Sequence, residues 1–281
     1  MSGAELKALP GFSTAPSMLV SVVWRQRQLL WQLTKREMHD RYRGSWLGTA
    51  WSFITPLLML AIYTFVFAVI FRARWGGASA ESTHHVAIVL FSGLIVYTLF
   101  AECVNRAPGL VLSSPSYVKK VVFPLELLPL PVMGGALFHA SVSLIVLLAA
   151  MLLSGDAIPP TLPLLPLVVL PLVLATVGAM WFLGSLGVYL RDISQVVALL
   201  TTGLLFLAPV FYPVSAVPER YRPLLEFNPL TFVIESARAV IIDGRLPNLG
   251  VWTAQLLAGL IIAWGGFAWF QRTRKGFADV L

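Results

Sequence analysis

Residues 41–59 read RYRGSWLGTAWSFITPLLM, a cationic, aromatic stretch that runs without a spacer into an apolar one. Residues 51–71 contain no Asp, Glu, Lys or Arg over 21 positions, about the 20 residues a helix needs to cross a bilayer. The chain enters a membrane here. Arg41, Arg43, Trp46 and Trp51 stand where snorkelling cations and interfacial indoles belong, at the headgroup level. What precedes them is expected on the cytosolic surface.

The composition of the 281 residues extends this to the whole chain: 58% are hydrophobic and 12% charged. A soluble domain of that size could not hide so much apolar surface, so the sequence predicts an all-α integral membrane protein. A formal net charge of +7 would suggest nucleic acid in a soluble protein; in a membrane protein the distribution of cations matters more than their sum, and no nucleic-acid partner is expected. The single cysteine, Cys103, excludes an intrachain disulfide and a Cys-based zinc cluster. His39, His84, His85 and His139 are too scattered to define a metal site. The N-terminal MSGAELKALPGFSTAPS lacks the charged start and apolar core of a signal peptide and reads as a cytosolic tail.

Hydropathy predicts six spans, at about 51–71, 86–101, 127–153, 162–190, 193–212 and 249–270. An even number places both termini on one side. Fourteen of the 20 Lys and Arg residues then fall on the side of the termini and six on the other, so both termini are expected in the cytosol. The second span ends at Glu102, which points to protein or water rather than lipid at its inner end. Residues 1–45 form a cytosolic N-terminal segment and residues 46–281 the transmembrane domain.

Three stretches outside the spans carry further information. In residues 20–42, Val20, Trp24, Trp31, Met38 and Tyr42 share a narrow helical arc flanked by Arg27, Lys35 and Arg41. This is an amphipathic interface helix, lying on lipid, on the protein's own inner surface, or on both. Residues 103–124 form a cytosolic loop with the breakers Pro108 and Pro115, the turn residues Ser113, Ser114 and Ser116, and the cations Lys119 and Lys120. A short helix across the inner face fits it, and so does an ordinary basic loop. Residues 213–248 are too apolar for an exposed loop and too charged for a span. Two half-length helices at 219–227 and 231–243, separated by Asn228-Pro229 and dipping into the outer leaflet, fit better, covered by protein or lining a water-filled path. Glu235 and Arg238, three apart on that second helix, can pair, most simply as a solvated surface pair.

Taken together, RYRGSWLGTAWSFITPLLM, SSPSYVKKVVFP and PVFYPVSAVPERYRPLLEFNPLTFVIESAR resemble the transmembrane subunit of ABC-2 type polysaccharide exporters, which move O-antigen, capsule or teichoic acid chains. The resemblance implies a multi-pass protein of the bacterial inner membrane that exports a lipid-linked polysaccharide, O-antigen first among the alternatives. It implies a homodimer working with two copies of a cytosolic ABC ATPase. It also implies an interface helix carrying Trp24, Arg27, Trp31, Lys35 and Arg41, ATPase coupling through Arg106, Ser114, Pro115, Tyr117 and Lys119, and periplasmic gate helices bearing Phe227, Asn228, Pro229, Phe232, Glu235 and Arg238.

The chain has no G-x-x-x-x-G-K-[ST] phosphate loop. It is therefore expected to be no enzyme itself and to bind no cofactor, with ATP and Mg held by the partner subunit. A tunnel for a long glycan favours aromatic rings and modest hydrogen-bonding groups over clustered charge. Trp46, Trp51, Tyr63 and Phe67 are candidates for the glycan path, with lipid contact or helix packing as the competing role for each. An ABC-2 exporter of drugs or lipids would share the fold and differ only in its tunnel. A secondary transporter is disfavoured by the nearly charge-free spans, and a glycosyltransferase by the lack of paired carboxylates on the inner face.

Overall fold

The computed structural model describes residues 16–41, 44–70, 83–113 and 124–280. All regular structure among them is helical. Two short helices, α1 (Pro16–Arg25) and α2 (Arg27–Asp40), precede the first membrane helix α3 (Trp51–Tyr63). Wide π-helical turns prolong α3 over Thr64–Ile70. Then follow α4 (Thr83–Arg106), α5 (Pro129–Leu153), α6 (Leu165–Tyr189) and the shorter α7 (Ile193–Leu207). The half-length helices α8 (Arg222–Glu226) and α9 (Pro229–Arg238) lead to α10 (Leu249–Thr273) and a last turn, α11 (Phe277–Val280).

Five helical segments are long and apolar enough to cross a bilayer, namely Gly48–Phe67, His84–Gly109, Leu125–Leu153, Leu162–Tyr189 and Leu249–Gly276; Ile193–Leu207 is apolar but shorter. The second differs most from its sequence-based bounds. It was expected to stop at residue 101, where Glu102 enters, yet the helix runs on to Arg106. The charge does not end it because Glu102 is paired there with Arg41, at 2.5 Å.

Local signals set the ends of the other elements. Asn228 accepts a hydrogen bond from the backbone N–H of Leu230, and Pro229 fills the first turn of α9, where its missing N–H costs nothing. Asn248 caps α10 in the same way through Gly250 and Val251. Gly244, at φ +68°, closes the π-helical turns Ala239–Asp243 that follow α9. The amphipathic segment departs from one continuous helix: it breaks at Gln26 between α1 and α2.

The most buried of the long helices is α4, and the core divides around it. One cluster joins Phe91, Leu94 and Tyr97 of α4 to Leu147 of α5, Leu172 of α6 and Leu230, Val233 and Ile234 of α9. The other joins Cys103 to Trp181 of α6 and Phe267 and Phe270 of α10. By contrast, α10 and α3 turn large apolar residues outward, among them Ile261 and Trp264 on one and Phe53, Leu57 and Phe65 on the other. Such belts of aliphatic and aromatic side chains suit hydrocarbon rather than water.

Candidate functional site

A cleft of about 300 Å³ opens between α3, α4 and α5. Its apolar wall comes from Pro56, Met59, Phe91 and Leu94, and its uncharged polar groups are Ser52, Thr55, Thr98, Ser143, His139 and the Tyr63 phenol. The hydroxyls of Ser52, Thr98 and Ser143 donate to carbonyls of their own helices, at 2.7, 2.8 and 2.9 Å. Their protons are engaged while their lone pairs remain free to accept. This part of the wall therefore offers modest acceptors to a ligand rich in hydroxyl donors, and the charged groups of the lining, Arg41 and Glu102, lie elsewhere in it.

Tyr63 in the cleft wall also belongs to an aromatic cluster that lies beside the cleft. Phe67 and Phe211 stack, with ring centroids 5.2 Å apart and planes 7° from parallel. Tyr63 lies 6.2 Å from Phe67 and 6.1 Å from Phe211, and Phe206 adds a fourth ring 6.0 Å from Phe211. These separations fall in the favourable range for aromatic pairs. The residues come from the end of α3, the end of α7 and the strand-like turn after it.

Another part of the cleft carries charge. Arg41 and Glu102 line the cleft itself, and Arg106 pairs with Glu37 of α2 while standing 3.9 Å from Glu102. Helix α2 lies across α5 where Gly134 and Gly135 leave room, so that a side chain at Gly134 would run into Thr34. An ion network and a close helix crossing thus seat α2 on the ends of α4 and α5. At the same pole, the Glu126 carboxylate pairs with Arg274 at 2.7 Å and the Tyr189 hydroxyl donates to the Thr273 carbonyl at 2.9 Å.

The residues singled out from the sequence fall into distinct places. Trp24 and Trp31 are exposed on α1 and α2, the Arg27 guanidinium sits 5.1 Å over the Trp24 ring, and Lys35 is exposed. Of the two alternatives for this segment, packing on the protein's own surface is seen, since α2 packs on α4 and α5; Trp24 and Trp31 point away from it. The Arg41 guanidinium pairs with Glu102, a partner the sequence reading did not assign it. Arg106 belongs to the same network, and Ser114, Pro115, Tyr117 and Lys119 lie outside the described residues. Tyr63 and Phe67 enter the aromatic cluster. Trp51 is half-buried at the start of α3 and Trp46 is 97% exposed; the structure does not bring either into the cleft wall.

In the 213–248 stretch, Phe227 is exposed beside the cap Asn228-Pro229, and Phe232 packs partly buried on the first core cluster. Glu235 and Arg238 pair at 2.8 Å. Arg238 is only 5% exposed, however, which overturns the reading of a solvated surface pair. It is held by main-chain carbonyls of α4 and of the turn after α7. Phe211, His139 and Ser143 were missed from sequence, because a Phe, a His and a Ser in apolar helices give no sign of which way they face.

Reversing one charge at the α2 seat should loosen it. Arg106→Glu sets a further carboxylate beside Glu37 and Glu102, and it is expected to cost about 1 kcal/mol, the upper range for a partly exposed pair. The double variant Glu37→Arg/Arg106→Glu recovers part of that loss, which thermal unfolding in detergent would read directly. Equal melting temperatures for single and double variants would show that the pair does not seat the helix.

A membrane permease is the class that this bundle of long apolar helices around a weakly polar cleft defines. The sequence profile described as "ABC-2 type transporter" matches residues 28–242, and the chain belongs to that family. It is 29% identical over 263 residues to the O-antigen export system permease protein RfbA of Myxococcus xanthus, covering 93% of this chain and 98% of that protein. A protein of the same description from Klebsiella pneumoniae is 26% identical over 258 residues, covering 90% and 95%. The polysialic acid transport protein KpsM of Escherichia coli is 23% identical over 213 residues, covering 75% and 80%.

Proposed function

We propose that this chain is the membrane-spanning permease subunit of an ATP-driven exporter that moves lipid-linked polysaccharide, with O-antigen as the glycan, from the cytosol across the bacterial inner membrane. The cleft carries the reading: its modest acceptors and the aromatic rings beside it suit hydroxyl-bearing, flat-faced sugars, and contacts of that modest strength let a polymer slide. Family membership and the polysaccharide-export names of the relatives support it. The aromatic cluster takes C–H faces of sugars in passing, and Trp46 is assigned to the membrane interface rather than to the path.

In this reading α7 and the turn after it make the fifth of six spans, and both termini lie in the cytosol, on the side of the α2 ion network. A cytosolic ABC ATPase, two copies to a homodimer of this chain, holds ATP and Mg. Residues 103–124 and α2 receive its motion, since α2 is seated on α4 and α5 by ion pairs and close packing. Helices α8 and α9 form the periplasmic gate. The exposed apolar side of α3, with Phe53, Leu57 and Phe65, faces the second copy, which closes the path.

The permease reconstituted with its ATPase in proteoliposomes tests this reading. Isolated O-antigen glycolipid is expected to stimulate ATP hydrolysis, and capsule glycolipid to do so less. Tyr63→Ala and Phe67→Ala should each lower export about tenfold, the value of one or two lost aromatic contacts. Stimulation by drugs or phospholipids and none by glycolipids would refute polysaccharide export.

A further inference from the structure

Helix α7 ends at Leu207 and the chain then turns into the protein over residues 208–210, all buried, so the carbonyls there lack helical partners. Side chains from elsewhere take up most of them. The Phe206 carbonyl accepts from the Tyr212 hydroxyl at 2.8 Å, and the Leu207 carbonyl from the Asn228 amide at 3.4 Å. The Ala208 carbonyl accepts from the Val210 backbone N–H, and those of Pro209 and Val210 both accept from Arg238, at 2.6 and 2.9 Å.

The same guanidinium donates through Nε to the Val89 carbonyl of α4, at 3.1 Å, and through Nη1 to Glu235, at 2.8 Å. A planar fork with five N–H donors can reach this many fixed acceptors at once, which an ammonium on a flexible stem cannot. The approach also depends on Gly93 of α4, where an added Cβ would stand 2.5 Å from Arg238 Nη2. Val210 is wholly buried, and the residue that follows it is Phe211. By fixing the two peptide units before it, Arg238 sets the direction in which the Phe211 side chain leaves the backbone. That ring stacks on Phe67 and meets Tyr63.

We propose that Arg238 is a positioning residue for the translocation path: it ties the turn after α7 to α4 and so holds the Phe211 ring in the aromatic wall with Phe67 and Tyr63. The glycan-handling part of this rests on the reading of the cleft given above. The pairing with Glu235 keeps the buried charge compensated, and the α4 contact fixes the wall against the most buried of the long helices. An arginine that merely satisfied stray carbonyls would affect stability without acting through Phe211.

The test uses Arg238→Lys, which keeps the charge and loses the fork. In a Cys103→Ala background, a single cysteine at 211 (Phe211→Cys) is alkylated with a water-soluble maleimide. Its rate should rise about tenfold when Arg238→Lys is added, the change expected from losing one charged hydrogen bond. Export by the full complex should fall by a similar factor. Combined with Phe211→Ala, Arg238→Lys should reduce export no further while still lowering the melting temperature, because the two changes remove one interaction.

An unchanged alkylation rate, or export losses that multiply, would overturn the proposal. Faster alkylation with normal export would keep the positioning role and remove the cleft from the glycan path. Where Arg238→Lys does not accumulate in the membrane, Gly93→Ala, which displaces the guanidinium from the α4 side, takes its place with the same expected results.

Discussion

Arg274→Met is expected to destabilise the protein by about 3–5 kcal/mol, the cost of breaking a buried ion pair from one side. Glu126 is 3% exposed, and its carboxylate meets Arg274 at 2.7 Å, where the guanidinium also donates to Gln271 at 3.0 Å. The main chain is held as well, because the Trp181 indole donates to the Glu126 carbonyl at 2.8 Å. Removing the cation leaves a carboxylate enclosed by Leu125, Leu127 and α6 with its charge uncompensated.

The double variant Glu126→Leu/Arg274→Met should recover most of the loss, since two apolar side chains of similar volume replace both charges. Detergent-solubilised protein followed by thermal unfolding and by monodisperse yield would report it. A single variant as stable as the parent would mean that water reaches Glu126. The pair joins the turn just before α5 to the turn just after α10, so its loss is also expected to free the C-terminal turn from the pole where α2 is seated.

Gly266→Leu should be the most damaging change within a span. Helices α6 and α10 cross so closely that a Cβ at Gly266 would run into the backbone of Gly178, 2.7 Å from its carbonyl carbon and 3.0 Å from its Cα. Backbone cannot swing aside as a flexible side chain does. The helices must separate, and the Trp181–Phe267 edge contact, with centroids 5.4 Å apart, opens with them. Overpacking of this kind costs about 1–3 kcal/mol where neighbours can yield, and more here. Small residues at helix crossings are what bring membrane helices together when no hydrophobic force acts between them. Gly265→Leu, one residue away where a Cβ meets nothing, is the control and should be tolerated. Equal melting temperatures for the two would refute the close crossing.

Five long apolar helices were legible because an uncharged run of about 20 residues has one stable answer in a bilayer, a helix with its backbone bonds satisfied internally. The break at Asn228-Pro229 and the start of the last span at Asn248 were legible for the same kind of reason, since caps act within three residues. That the helix runs past Glu102 to Arg106 was not legible, because the partner of Glu102, Arg41, lies 61 residues away. The Glu235–Arg238 spacing was read correctly as a pair and wrongly as a surface one. The spacing of three is a local fact, whereas the burial depends on Val89, 149 residues distant, and on the turn after α7.

The sequence by itself determined the class of protein: an all-helical membrane chain, the positions of its apolar helices, a cationic bias toward one side, and an amphipathic helix ahead of the first span. These follow from hydropathy, charge and period, which each segment carries alone. The tertiary structure alone decided which charges meet and which rings stack: Arg41 with Glu102, Glu126 with Arg274, Phe67 with Phe211. A helix turns a new side chain outward every 100°, and only the helices packed around it settle which of those directions is core, lipid or path.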